Sequence, residues 1–125
     1  FSCDGIILMI CQEFASLSEY GSDVKVIVLH NDTLGMIVQL QDFFYNHHYS
    51  QCTLNKRKNL PMLAESLGVK GYAIEKQDDL IPVLKEAFAH KGPALVDIRI
   101  SPEERVYPTV PGGKALSDMI LGGDA

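Results

Sequence analysis

Residues 24–29 form a run of apolar, mostly β-branched side chains interrupted by a single lysine, and this run constrains the fold more than any other segment. It shows little alternation of polar and apolar positions, as expected of a strand buried on both faces of a parallel sheet. Neighbouring parallel strands must be joined by crossover connections, which are usually helices. The run therefore predicts an α/β fold with this strand in a central position.

The segments on either side of this strand carry the periodicity of such crossover helices. Before the strand, apolar residues recur at three- and four-residue steps from Ile7 to Leu17, and Gly21 follows where helices often end. Further helices are predicted from residue 33 or 34 to about 46, between Asn59 and Gly68, and from Asp78 to about His90, with strands over residues 72–75 and 94–100. This alternation predicts a three-layer α/β/α fold with a mainly parallel sheet, truncated at its N-terminal edge.

The length and composition predict one domain. A chain of 125 residues with 46% hydrophobic composition can form a single core. We expect an α/β body over residues 1–101, followed by a proline- and glycine-rich arm and a short helix (115–121) within residues 102–125 of the same domain. The abrupt start at Phe1, without an initiator methionine, suggests a fragment.

Charge and hydropathy exclude two classes of partner. The net charge is −5, and the basic residues are scattered among acids, so a nucleic-acid partner is not expected. The longest apolar runs are far shorter than the roughly 20 residues that a membrane-spanning helix needs. Three cysteines without a CxxC spacing fit free thiols in a reducing cytoplasm better than a disulfide framework.

Two polar loops are predicted to meet at the carboxyl edge of the sheet, where α/β folds bind ligands. Asp4 and Gly5 follow a short first strand, and Asn31 and Thr33 follow the buried strand. Asp4, the Asn31 side chain and the Thr33 carbonyl suit a hard cation such as magnesium, with diphosphate oxygens completing its shell. Gly5 would let backbone N–H groups approach a diphosphate at the start of the next helix. Asp-Gly and Asn are also common in ordinary turns, so the spacing alone leaves a purely structural role open.

The flanking sequence resembles one family of thiamine-diphosphate enzymes. The family signature, Gly-Asp-Gly and then Asn-Asn after one strand–helix–strand unit, appears here at residues 3–5 and 30–31. Residues 34–41 (LGMIVQLQ), 63–71 (LAESLGVKG), 92–97 (GPALVD) and 106–113 (VYPTVPGG) are similar to the acetohydroxyacid (acetolactate) synthase family in the same order. The resemblance spans nearly the whole chain and identifies it as the C-terminal, diphosphate-binding domain.

The resemblance implies a cofactor, a metal and residue roles. Asp4, Asn31 and the Thr33 carbonyl would hold magnesium, Gly5 and Ile6 would lie at the diphosphate of thiamine diphosphate, and Met36 would lie beside the cofactor. Leu40 occupies a substrate-pocket position at which the family usually has tryptophan. The family condenses pyruvate with a second 2-oxo acid in valine, leucine and isoleucine biosynthesis.

The resemblance also implies partners that this chain would need. These are the remaining domains of the large subunit, a second large subunit in a homodimer or higher assembly, and a regulatory small subunit. The glutamate that activates the cofactor belongs to an N-terminal domain of a partner subunit, so the chain alone is not expected to turn over substrate. Cys3, Ile6 and His30 depart from the family pattern, which leaves a non-catalytic interaction module open as an alternative. A second alternative is part of a related 2-oxo acid decarboxylase or oxidase, which shares the Asp and Asn of the signature but fits residues 34–41 and 106–113 less well.

Several other polar features favour ordinary solvated loops. His47 and His48 near Cys52 lack a fourth spaced ligand for zinc, and His30 is interpreted in the same way. The basic residues 56–58 are expected to be a solvated loop. Phe43, Phe44, Tyr45 and Tyr49 lack interleaved basic residues, which favours core or subunit contacts over base stacking.

Overall fold

The computed structural model describes residues 1–54 and 58–122, which contain four strands and five α-helices. In chain order these are β1 (Ser2–Cys3), α1 (Asp4–Ile10), α2 (Glu13–Glu19), β2 (Lys25–His30), α3 (Gly35–Phe44), α4 (Leu60–Ser66), β3 (Lys70–Ile74), α5 (Leu80–Ala89) and β4 (Ala94–Arg99). Short 3₁₀ turns cover Gln77–Asp79 and Leu116–Asp118.

The four strands form one parallel sheet in the order β1-β2-β4-β3. The apolar run predicted to be central is β2, which pairs with β1 on one side and with β4 on the other. Lys25 lies opposite Ala94 and His30 lies opposite Arg99, so β2 and β4 are paired along their whole length. The prediction of a parallel α/β sheet is confirmed.

Helices cover both faces of the sheet because its strands are apolar on both sides. Val28 and Leu95 on one face belong to a fully buried cluster with residues of α1, α2 and α4. Ile27 and Val96, the alternate residues of the same strands, pack on the other face with Ala87 of α5. This arrangement is the predicted three-layer architecture.

Two helices differ from the sequence-based expectation. The periodic segment before β2 is divided into α1 and α2, because Phe14 and Ala15 bond to the carbonyls three residues earlier and tighten the turn at Cys11. The helix expected over residues 115–121 is only the 3₁₀ turn. Thr109 and Ile120 exchange two backbone hydrogen bonds of 2.9 and 2.8 Å, which draws the chain after that turn into an extended path.

The segment after β4 is held against α3 by polar side chains. The Gln39 amide donates to the Val106 carbonyl (3.1 Å) and accepts from the Val106 N–H (2.8 Å). Arg105 Nε donates to Asp42 Oδ2 at 2.6 Å. These bonds place residues 104–106 beside the carboxyl edge of the sheet, where they line one wall of a cavity. None of the helices in the described ranges has the length and apolar character needed to cross a membrane.

Candidate functional site

The candidate site lies where β1, β2 and β4 end at one edge of the sheet. Asp4 follows β1 directly, His30 is the last residue of β2, and Arg99 is the last residue of β4. Because the three strands are parallel neighbours, their carboxyl ends bring these residues together. Asp4 and His30 are both completely buried. Ionisable groups therefore lie inside the protein at the edge where a ligand is expected.

One face of the sheet changes from apolar to polar along its strands. Side chains two residues apart on a strand point to the same face, so His30 follows Val28, and Asp97 follows Leu95. His30 Nδ1 lies 2.8 Å from Asp97 Oδ1, and His30 Nε2 lies 3.0 Å from Asp32 Oδ1. The core on this face ends in a hydrogen-bonded His-Asp cluster.

Asp4 lacks the donors that a buried carboxylate ordinarily has. Among the described residues, neither of its carboxylate oxygens takes part in a hydrogen bond of acceptable geometry. Lys58 Nζ lies 2.9 Å from Asp4 Oδ2, but this contact is an ion pair without the direction of a hydrogen bond. A buried charge without directed donors is costly unless a cation meets it. The burial of Asp4 and its lack of directed donors fit the environment of a metal ligand.

The pKa values of Asp32 and Asp97 are shifted in opposite directions. Burial acts to raise the pKa of Asp32, but hydrogen bonds from His30 and Arg99 outweigh it and lower the pKa. The Arg99 Nη1 donor lies 2.7 Å from Asp32 Oδ2. Burial raises the pKa of Asp97 and is only partly opposed by the charge of His30. Asp32 also has a left-handed backbone, with φ of 57°, which aspartate tolerates better than most residues.

Three of the residues predicted from the sequence surround one cavity. Asn31, Thr33 and Met36 line a space of about 420 Å³ together with Cys3 and Gly35. Asn31 Oδ1 accepts a hydrogen bond of 3.1 Å from the Thr33 N–H, which fixes the turn after β2. The residues that follow β2 therefore form one wall of an open cavity at the carboxyl edge.

The other predicted residues do not line this cavity. Asp4 contacts His30 and Lys58 instead. A Cβ on Gly5 would lie 2.9 Å from Leu34 Cδ2, so a side chain at this position would press on the turn after β2. The Ile6 side chain is half exposed. Leu40 shares a smaller cavity of about 130 Å³ with Met36 and residues 109–112.

Two interpretations of the sequence are wrong. His30 was expected in a solvated loop, but it ends a central strand and has no exposed surface. Lys58 was expected to be solvated, but its side chain is 9% exposed and also lies 3.4 Å from Asp32 Oδ1. Residues 56 and 57 of the same basic run lie outside the described residues. The signal for His30 was available, because Val28 and His30 occupy the same face of a buried strand.

The described residues contain one set of side chains close enough to share a metal ion. Ligand atoms of Asp4, His30 and Asp32 all lie within 4.8 Å of one another. His47 and His48 are exposed, as expected, and His47 contacts Asp42 rather than a cysteine.

Comparison with known proteins gives a consistent family. A protein-family model described as "Thiamine pyrophosphate enzyme, C-terminal TPP binding domain" matches residues 1–98. The mitochondrial acetolactate synthase of Schizosaccharomyces pombe is 39% identical over 118 residues, which cover 94% of this chain and 18% of that protein. The acetolactate synthase isozyme 1 large subunit of Escherichia coli is 37% identical over 120 residues, 96% of this chain and 21% of that subunit. The chain thus spans about one fifth of the length of these relatives.

A solved structure supports the fold alone. The thiamine diphosphate-dependent 4-hydroxybenzoylformate decarboxylase of Rhodococcus jostii superposes with a TM-score of 0.73. The superposition covers 79% of this chain and 19% of the decarboxylase chain, at 24% sequence identity.

Proposed function

Since this chain belongs to the thiamine pyrophosphate enzyme family, with the family's C-terminal TPP-binding domain matching residues 1–98, we propose that it is the cofactor-binding part of an acetolactate synthase large subunit. The observation that carries this proposal is the similarity of almost the whole chain to acetolactate synthases, at 37% and 39% identity for the two relatives above. The assembled enzyme would condense pyruvate with a second 2-oxo acid in valine, leucine and isoleucine biosynthesis.

The proposed cofactor is thiamine diphosphate with magnesium. Asp4, Asn31 and the backbone carbonyl of Thr33 would hold the metal, and the turn after β1 would meet the diphosphate. Two observations support this assignment: the Asp4 carboxylate is buried without hydrogen-bond donors among the described residues, and Asn31 and Thr33 line a cavity at the same edge of the sheet. When bound, thiamine diphosphate supplies the carbon nucleophile and electron sink for decarboxylation of a 2-oxo acid.

The chain itself would bind and orient the cofactor. Asp4 would supply negative charge to the divalent cation that accompanies the diphosphate. Gly5 keeps the backbone accessible next to Leu34, while Ile6 leaves an apolar side chain where the diphosphate would approach. Met36 would contact the cofactor in the 420 Å³ cavity, and Leu40 would shape the substrate pocket beside it.

The proposed activity needs other parts of the enzyme. The activating glutamate would come from an N-terminal domain of a second large subunit, and a regulatory small subunit is a further proposed partner. We therefore expect residues 1–101 to act as the cofactor half-site, with residues 102–125 as its arm, and the isolated chain to be inactive. A cytoplasmic location is proposed from the free thiols, and cell fractionation would test it.

A non-catalytic role is the second candidate, and one observation favours it. Lys58 Nζ and His30 Nε2 approach the Asp4 carboxylate at 2.9 and 3.5 Å, so the protein's own groups already lie at the proposed metal ligand. If these groups prevented cofactor binding, the chain would keep the fold as an interaction module.

The proposal can be tested by calorimetric titration of thiamine diphosphate and magnesium into the chain. The titration is done with the chain alone and with the chain mixed with an N-terminal fragment of a related synthase. Asp4→Asn and Asn31→Ala should each weaken binding at least tenfold, whereas Asp78→Asn, the same change as the first at an exposed position, should leave it unchanged. Absence of binding in the complemented mixture would favour the non-catalytic role. A product assay on that mixture would separate acetolactate formation from simple decarboxylation or oxidation.

A further inference from the structure

His30 is oriented like a histidine that ligates a metal. Its Nδ1 faces both carboxylate oxygens of Asp97, at 2.8 and 3.0 Å. A carboxylate that holds one ring nitrogen fixes the ring and raises the basicity of the other nitrogen, as in carboxylate–histidine–zinc sites. The other nitrogen, Nε2, lies within hydrogen-bond distance of Asp32 and also faces Asp4.

The distances from His30 Nε2 to the two carboxylates suit ligands of a single ion, and all three ligand atoms lie within 4.8 Å of one another. His30 Nε2 lies 3.0 Å from Asp32 Oδ1 and 3.5 Å from Asp4 Oδ2. An ion with metal–ligand bonds of about 2.0–2.2 Å brings adjacent ligand atoms about 3.0–3.5 Å apart. Asp4 gives an independent indication of a ligand, because its side chain is completely buried and neither of its carboxylate oxygens makes a hydrogen bond within the described residues.

Lys58 is a cation that lies beside these carboxylates. Its Nζ lies 2.9 Å from Asp4 Oδ2 and 3.4 Å from Asp32 Oδ1, between the two carboxylates that an ion would bridge. The side chain is almost completely buried, so its charge is weakly screened by solvent. A divalent ion and the ammonium group would repel each other at this position, so metal binding requires Lys58 to move away.

We propose that Asp4, His30 and Asp32 hold a divalent ion that accepts a nitrogen ligand, such as zinc, in preference to magnesium. Magnesium favours an all-oxygen octahedral shell, whereas imidazole nitrogen suits zinc and other transition-metal ions. His30 and Asp32 add a nitrogen and a second carboxylate to the metal ligand Asp4. The biological role of this metal preference rests on the proposed function. The preference itself can be tested with metal ions alone, without cofactor.

The test is titration of zinc and magnesium chlorides, each without cofactor, into the chain and two variants. His30→Asn replaces the imidazole by an amide, the group that the family signature has at this position. His48→Asn makes the same change at an exposed histidine. The wild type should bind zinc at least tenfold more tightly than magnesium. His30→Asn should weaken zinc binding at least tenfold and change magnesium binding less than threefold, while His48→Asn should match the wild type. Equal zinc affinity in the wild type and His30→Asn would overturn the proposal.

A second variant keeps the test decisive if His30→Asn does not fold. Lys58→Met removes the competing ammonium and keeps an unbranched side chain, so it should raise zinc affinity at least tenfold. Addition of cobalt should give a visible absorption band that is stronger in Lys58→Met than in the wild type. Unchanged zinc affinity and an unchanged cobalt band in Lys58→Met would count against a site between these carboxylates.

The two proposals fail in distinguishable ways. If thiamine diphosphate binds with magnesium but His30→Asn leaves zinc affinity unchanged, the metal preference is wrong and the proposed function stands. If zinc binds through His30 but no thiamine diphosphate binds in the complemented mixture, the metal site stands and the proposed function is wrong.

Discussion

Protonation of Asp42 should remove a measurable part of the stability of the fold. Burial acts to raise the pKa of this carboxyl, but hydrogen bonds from Tyr49, Arg105 and His47 outweigh it and lower the pKa from 3.8 to about 2. The Tyr49 hydroxyl and Arg105 Nε lie 2.5 and 2.6 Å from its two oxygens, and the Asp42 side chain is 13% exposed. The ionised form is therefore stabilised in the folded state relative to the unfolded chain.

The sign and size of the effect follow from this pKa difference. A depressed pKa stabilises the fold at pH values above the unfolded pKa, and that contribution is lost as the pH falls through the folded value. A difference of nearly two pKa units corresponds to about 2 kcal/mol at neutral pH, and roughly half of this would be lost by about pH 3. The window of loss is thus about pH 4 to pH 2.

This contribution can be measured by urea unfolding of the wild type and of Asp42→Asn. Unfolding is followed by circular dichroism at pH values from 7 to 3. The two free energies of unfolding should differ by about 2 kcal/mol at pH 7 and converge as the pH falls. Asp78→Asn, at an exposed position, serves as the control and should track the wild type. A pH-independent difference, or none at pH 7, would refute the argument that hydrogen bonds to the ionised carboxylate stabilise this region.

Three further predictions concern the scaffold. Gly71→Ala should lower the free energy of unfolding by about 1–3 kcal/mol in a urea titration, because the new Cβ would lie 2.6 Å from the Pro61 carbonyl oxygen. Gly112→Ala is the control and should change the free energy of unfolding little, since no atom lies within 4 Å of its Cβ. Asn59→Ala should cost about 1 kcal/mol by the same measurement, because Asn59 Oδ1 caps α4 by accepting from the Met62 N–H at 2.9 Å. The chain should self-associate as its concentration rises in sedimentation equilibrium, and a constant monomer mass would contradict this. The reason is that α1 and α3 expose large apolar side chains: Ile6, Met9, Ile10, Met36, Leu40 and Phe44.

The sequence predicts the scaffold well because its signals are local. The apolar run at β2 and the periodic helices are properties of neighbouring residues, and each element needs only its own pattern to be recognised. Asn59 before Leu60 correctly places the start of α4, since the cap and its acceptor lie three residues apart. The division of the first helix at Cys11 was missed, because no glycine or proline marks it.

The polar cluster was harder to predict because its members are distant in sequence. His30 and Asp97 are 67 residues apart, and their contact depends on which strands are neighbours. Residues around Asp4 and Asn31 could be proposed from a family signature, but Lys58 has no part in that signature and reaches Asp4 only through the path of the chain before α4. Family resemblance identifies the residues that match the signature, and it gives no information about residues outside the signature, such as Lys58.

The register of β2 against β4 links the fold to the site. The contacts between His30 and Asp97, Asp32 and Arg99, and Gln39 and Val106 all join residues 67 positions apart. The first two depend on the pairing of His30 opposite Arg99, and the third fixes the arm that follows β4. A slip of one residue would turn Asp97 and Arg99 to the opposite face of the sheet. Burial of Val28 with Leu95 on one face, and of Ile27 with Val96 on the other, opposes that slip. The same apolar pattern that specifies the sheet therefore also aligns the polar residues of the site.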